Sequence, residues 1–341
     1  MIQEESRTET RHRDQSDSSA SAWHWHPELP IRNSPLFAWP PRLWAASCFL
    51  LRSSFFAVDR LIFLALALLT WWLLRDGLAS ASSVSFGWIA QLYSINLMTM
   101  IFVAGGLHLY FYRFAKQAKR LKFTHTSLER HNPRYLFGDQ TWDNMTWTLV
   151  SGVTIWTAYE LLVLAAFANG TATTLSLNAH PLWFIAGFPL VILWYSVHFY
   201  TVHRVLHSQA LYRRVHAVHH RNISIGPWSG ISMHPIEHLL YFSSLLIHLI
   251  VPSHPIHFFF HMYWLSLGAV TSHCGYESLL VNGWRWLVIG DFHHQLHHRY
   301  FRCNYGSADV PCDAWAGSFH DGTAQSTRRI RQSAIATGQT I

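Results

Sequence analysis

After residue 45 the chain is dominated by long apolar runs separated by short polar stretches. Residues 55–74 (FFAVDRLIFLALALLTWWLL) form the first run, interrupted near its start by Asp59 and Arg60. A second lies within 84–115, a third at 145–168 and a fourth at 181–200. A helix crosses the hydrocarbon core with about 20 mostly apolar residues, so each run predicts a membrane span. Two shorter runs, 239–251 and 256–272, flank a Pro-Ser-His-Pro sequence and predict a hairpin that dips into the membrane or crosses it twice. The expected fold class is all-α. It is a bundle of about four transmembrane helices plus a short membrane hairpin, carrying a cytoplasmic helical cap rich in histidine.

The polar segments set the organisation. Residues 1–45 are rich in Ser, Arg and Glu and then in Pro, and predict a disordered tail with an irregular lead-in and no cleavable signal peptide. Residues 46–144 hold the first two spans and a basic loop, 145–323 the remaining core, and 324–341 a flexible tail. In that loop Arg113, Lys116, Lys119, Arg120, Lys122, Arg130 and Arg134 face only Glu129 and Asp139, whereas residues 169–180 carry no basic group. Positive charge marks the inner face of a membrane, so both ends and the stretch after the fourth span are expected on the cytoplasmic side. The membrane would be the cytoplasmic one in a bacterium and the endoplasmic reticulum in a eukaryote.

Composition agrees with this layout. Half the residues are hydrophobic and only 13% are charged, against about 25% in soluble domains. The formal charge of +7 sits beside apolar spans, which argues for membrane orientation rather than nucleic-acid binding. Four cysteines without a CxxC pair argue against a disulfide framework or a thiolate zinc site. Glu160, inside the third span, is a functional candidate by position, although a pairing with a nearby Trp or Tyr is the expected explanation.

The 25 histidines change the picture. In HRVLH, His203 and His207 are spaced i, i+4 and share one face of a helix. HAVHH supplies His216, His219 and His220, and HHQLHH supplies His294, His297 and His298 with the same HxxHH spacing. Imidazole suits iron, zinc and copper. Eight such ligands from three segments are enough for two metal ions and more than one ion needs. A histidine-rich membrane protein that binds or transports metal without redox chemistry is the alternative reading.

These three clusters resemble the histidine boxes of the fatty acid hydroxylase superfamily, in its sterol desaturase branch. Residues 145–323 carry the resemblance: LYRRVHAVHHRN, the HPIE of GPWSGISMHPIEHLLYF, SHCGYE, HHRYFRCNYG and FHDGT are all similar to segments of that branch. The resemblance implies two iron ions in a non-haem centre held by His203, His207, His216, His219, His220, His294, His297 and His298, with His234 and His273 as additional ligands. It implies O2-dependent hydroxylation or desaturation of a sterol-like or fatty-acyl lipid. Electrons would come from an external donor, a cytochrome b5-like protein or a ferredoxin with its reductase. The acidic residue that often precedes the first box is missing here, where Ser196 and His198 stand.

Overall fold

The computed structural model describes residues 23–52 and 58–336; the first residues of the 55–74 run, the extreme N-terminal tail and residues 337–341 lie outside them. A short helix, α1 (Leu43–Arg52), precedes four helices long and apolar enough to cross a membrane. These are α2 (Arg60–Leu78), α3 (Phe86–Arg113), α4 (Gln140–Ala168) and α5 (Pro181–Leu206). Their starts follow from local chemistry. Ser85 accepts a hydrogen bond from Trp88 N at the head of α3, Asp139 accepts from Thr141 N and Trp142 N at the head of α4, and α5 opens on a proline. Large apolar side chains such as Leu68, Trp72, Phe102, Leu182 and Ile185 point outward from the spans, as a lipid-facing surface requires. The protein is an integral membrane protein.

The hairpin region resolves into α6 (Pro235–Phe242), a tight helical stretch Ser243–Leu249, and α7 (Pro255–Ser272). The spans enclose α7, which is buried along nearly its whole length and packs chiefly on α2 and α5. Its close fit shows at Gly230, where an added Cβ would stand 2.2 Å from Ala269 O. Histidines inside this region satisfy one another. Ser253 Oγ donates to Val251 O, so it accepts from His248 Nδ1 (2.9 Å). The chain continues from His248 Nε2 to His261 Nδ1 (3.1 Å) and from His261 Nε2 to Ser244 Oγ (3.0 Å). Glu160 in α4 finds its partner in Asn96, whose amide donates to the carboxylate at 2.5 Å, rather than in a Trp or Tyr.

Beyond the spans the chain builds a compact cap. Two strands absent from the all-α expectation, β1 (Ser278–Val281) and β2 (Trp284–Val288), form an antiparallel hairpin turned by Asn282 and Gly283, both at positive φ. Leu279 and Leu287 pack inward beside Phe111 and Tyr276, while Trp284 and Trp286 face outward. Helices α8 (Phe292–Tyr300), α9 (Cys312–Trp315) and α10 (Ala324–Ala336) complete the cap. The irregular lead-in is part of it: Trp23 packs with Phe123, Phe292 and Leu296, and Ile31 N donates to Asp321 O.

Candidate metal centre

Four segments deliver histidines to one region. The last turn of α5 provides His203 and His207, the helical segment 209–220 provides His216, His219 and His220, the C-terminus of α7 provides His273, and α8 provides His294, His297 and His298. A π-helical turn at Tyr212–His216 resets the register just before the second box, a device common where function dictates side-chain direction. At the head of α8, Asp291 accepts from His294 N and fixes the start of the third box.

The nine rings sort into two groups. His203, His207, His216, His220 and His297 form one and His219, His273, His294 and His298 the other; within each group the ligand atoms all lie within 4.8 Å of one another. All are buried except His207, which is half-buried. Successive residues of a helix point about 100° apart, so neighbours cannot serve one ion together. Accordingly His219 and His220 fall in different groups, as do His297 and His298. The His219-His220 and His297-His298 pairs each straddle the two sites.

Hydrogen bonds fix the tautomers. Nδ1 of His203 donates to Tyr305 O, that of His297 to Cys303 O, that of His273 to Ala269 O and that of His298 to Asn222 O, at 2.6–3.1 Å; His219 Nδ1 reaches Ser232 O at 3.4 Å. A carbonyl oxygen only accepts, so each ring carries its proton on Nδ1 and presents a bare Nε2. Yet His273 Nε2 stands 3.0 Å from His298 Nε2 and 3.4 Å from His219 Nε2. Those pairs have no proton between them. Lone pairs facing one another at this distance repel unless a cation lies among them, so the residues present fit a metal in each group.

Electrostatics point the same way. Burial first, and then the charge of neighbouring rings, holds His207, His216, His220, His294, His297 and His298 well below the ordinary imidazole range. Neutral rings are the form that binds metal. Glu237 of the HPIE segment accepts from His216 Nδ1 at 2.8 Å, and Asp313 anchors the loop whose Tyr305 carbonyl orients His203. Spacing alone marks neither carboxylate, although the HPIE motif is a signal for Glu237. At the position before the first box, Ser196 Oγ donates to Ile192 O within its own helix and accepts from Ser307 Oγ.

His234 stands apart from both groups. Its Nδ1 accepts from Ile236 N and caps α6, and its ring packs near Trp147. His238 and His293 also stand outside the two groups: His238 bonds Ser151 Oγ and Ile231 O, and His293 stacks on Phe319. A cavity of about 460 Å³ opens on the paired groups, lined on one side by His203, His216, His219, His273 and His294 and on the other by Phe63, Tyr195, Phe199, Tyr241 and Trp264.

Residues 188–318, which include every histidine of the two groups, match the Fatty acid hydroxylase family model. Through this segment the chain is similar to the fatty acid hydroxylase superfamily. Its curated relatives lie in the sterol desaturase branch. Over 139 residues it is 29% identical to the Delta(7)-sterol 5(6)-desaturase ERG3B of Gibberella zeae, covering 40% of this chain and 42% of that protein. Over 121 residues it is 32% identical to the Delta(7)-sterol 5(6)-desaturase ERG3 of Saccharomyces cerevisiae, covering 35% and 32%. Over 149 residues it is 27% identical to the Delta(7)-sterol-C5(6)-desaturase of Nicotiana tabacum, covering 42% and 53%. The chain thus spans about a third to a half of the length of these relatives. No solved structure matches it.

Proposed function

We propose that this fatty acid hydroxylase relative is a membrane-bound oxidoreductase that hydroxylates or desaturates a lipid, using O2 and external electrons at a non-haem di-iron centre. The observation that carries the reading is the pair of histidine groups whose Nε2 atoms converge beside one cavity with an aromatic wall. The target C–H bond of a lipid chain or ring is unactivated, and no acid or base in the cavity could break it. Two iron ions, when bound, supply the activation of O2 that such a bond demands.

His203, His207, His216, His220 and His297 would hold one ion, and His219, His273, His294 and His298 the other. The chain's own contribution is placement. Backbone carbonyls and Glu237 hold six of the nine rings in one tautomer, and the aromatic wall of Phe199, Tyr195 and Trp264 keeps water from the reacting carbon. A carrier of exchangeable metal is less well served by rings of which six are locked from behind by hydrogen bonds.

In our reading the boxes face the cytoplasm, where the basic loop after α3 meets an acidic donor such as a cytochrome b5-like protein or a ferredoxin. Arg113, Lys116, Lys119 and Arg120 are exposed there, whereas Lys122 is buried and bonded to Thr126 O. Neutralising the four exposed residues is expected to slow electron transfer and flatten its salt dependence. Lipid profiling of cells with and without the gene, under ordinary and isotopically labelled O2, tests the reading. A lipid that gains a hydroxyl or a double bond only with the gene and oxygen is expected; identical lipid profiles would count against it.

A further inference from the structure

One wall of the cavity carries an ion pair that the histidine groups do not use. Arg60, in the first turn of α2, pairs with Asp309 in the loop after the third box, and their side chains are only 10% and 14% exposed. The guanidinium also lies 4.7 Å over the ring of Trp264. From there a line of ring contacts leads to the histidines: Trp264 to Tyr195 (6.4 Å), Tyr195 to Phe199 (5.6 Å) and Phe199 to His203 (5.1 Å). Arg60, Asp309 and the ligand rings border the same space. A buried ion pair gives little net stability, and a charged residue inside an apolar span marks function more often than packing.

We infer that Arg60 and Asp309 form the subsite that anchors the polar end of the lipid, and that this end is a neutral hydroxyl. The inference rests on the reading of the cavity as the lipid site. Together the two side chains carry no net charge. A carboxylate, phosphate or sulfate head would compete with Asp309 for Arg60 and leave a negative charge buried without a partner. A hydroxyl suits both, because it donates to a carboxylate oxygen and accepts from the guanidinium. Holding that end at the wall fixes which carbon stands before the histidines. The pair therefore selects sterols or long-chain alcohols over free fatty acids and acts as a positioning device.

Binding without turnover tests this independently of the redox chemistry. The full chain in neutral phospholipid nanodiscs is titrated with two pairs of probes, cholesterol against cholesterol sulfate and octadecanol against stearate. In at least one pair the alcohol is expected to bind about tenfold more tightly or better, the discrimination a built hydroxyl site gives. Asp309→Asn removes one negative charge beside the guanidinium and is expected to turn the preference toward the anion. Adding Arg60→Gln to it should restore the preference for the alcohol. Equal binding of alcohol and anion in both pairs by the unaltered protein overturns the subsite, as does Asp309→Asn weakening both probes alike. If none of the four probes binds, the lipid cavity itself is refuted. Loss of oxidation alone would leave the binding result standing.

Discussion

His216 Nδ1 and Glu237 Oε1 lie 2.8 Å apart, both fully buried, and join the second histidine box to the HPIE segment twenty-one residues away. Burial raises the Glu237 carboxyl well above its usual range, so the group is costly to ionise here without a nearby cation. The contact makes sense beside a metal, where the carboxylate orients the ring and its charge is balanced. Glu237→Ala is predicted to lower metal affinity about 10- to 100-fold, as loss of such outer partners does elsewhere. Chelator competition on the purified protein measures it; Glu237→Gln should lose less.

A second support is Asp313. Its carboxylate accepts from Tyr305 N, Gly306 N and Ser318 Oγ at 2.6–2.9 Å, and so holds the loop whose Tyr305 carbonyl receives His203 Nδ1. Hydrogen bonds to a charged group contribute about 1.5–3 kcal/mol each, net of the bonds to water they replace. Asp313→Ala is expected to lower the thermal midpoint of the metal-free protein and to weaken metal binding together. A variant with unchanged stability and unchanged metal affinity would rule the support out.

Gly290 joins the β-hairpin to α8, and a Cβ there would stand 1.9 Å from Tyr276 O. Backbone offers no flexible end to move aside. Gly290→Ala is expected to displace Asp291 and the third box, with a destabilisation on the order of a few kcal/mol. Yield of folded, monodisperse protein reports it; Gly87→Ala, at an exposed position of α3 where nothing lies within 4 Å, serves as the contrast.

His320 provides a pH test away from the two histidine groups. It is buried, stacks on Tyr300, and bonds Thr327 Oγ1 and Gly322 N. Burial lowers its pKa to about 4, with Asp321 opposing and Arg329 and His293 reinforcing. The unfolded chain takes up this proton near pH 6.5 and the folded one only near pH 4, so stability falls as pH drops through that window. His320→Gln is expected to remove up to about 1.4 kcal/mol per pH unit of that dependence. Thermal unfolding between pH 4.5 and 7 checks it, and parallel curves for both proteins would be the wrong outcome.

Much of this was readable in the residues. Long apolar runs announce spans because the bilayer imposes one length on every helix, and HxxxH and HxxHH announce shared faces because the helix has one period. Which ring joins which group was not readable, since the split of His219 from His220 and of His297 from His298 depends on how three helices meet. His234 illustrates the limit. Its place in HPIEH suits a ligand, but the proline after it starts a helix, and a residue before such a start turns its side chain to the free backbone N–H groups. The β-hairpin at 278–288 was hidden because WRWLV is too short and too apolar to tell a strand from a buried helical turn. Asp309 gave no signal at all, because its partner Arg60 lies 249 residues away in sequence.

Metal content tests the paired centre most directly. Elemental analysis and Mössbauer spectroscopy of the full chain, purified anaerobically from iron-supplied cells, are expected to find two coupled irons per chain. His219→Ala and His220→Ala should each disturb a different one while the protein still inserts in the membrane. A protein that holds no stoichiometric transition metal, or one whose two variants lose the same ion, would contradict the paired centre.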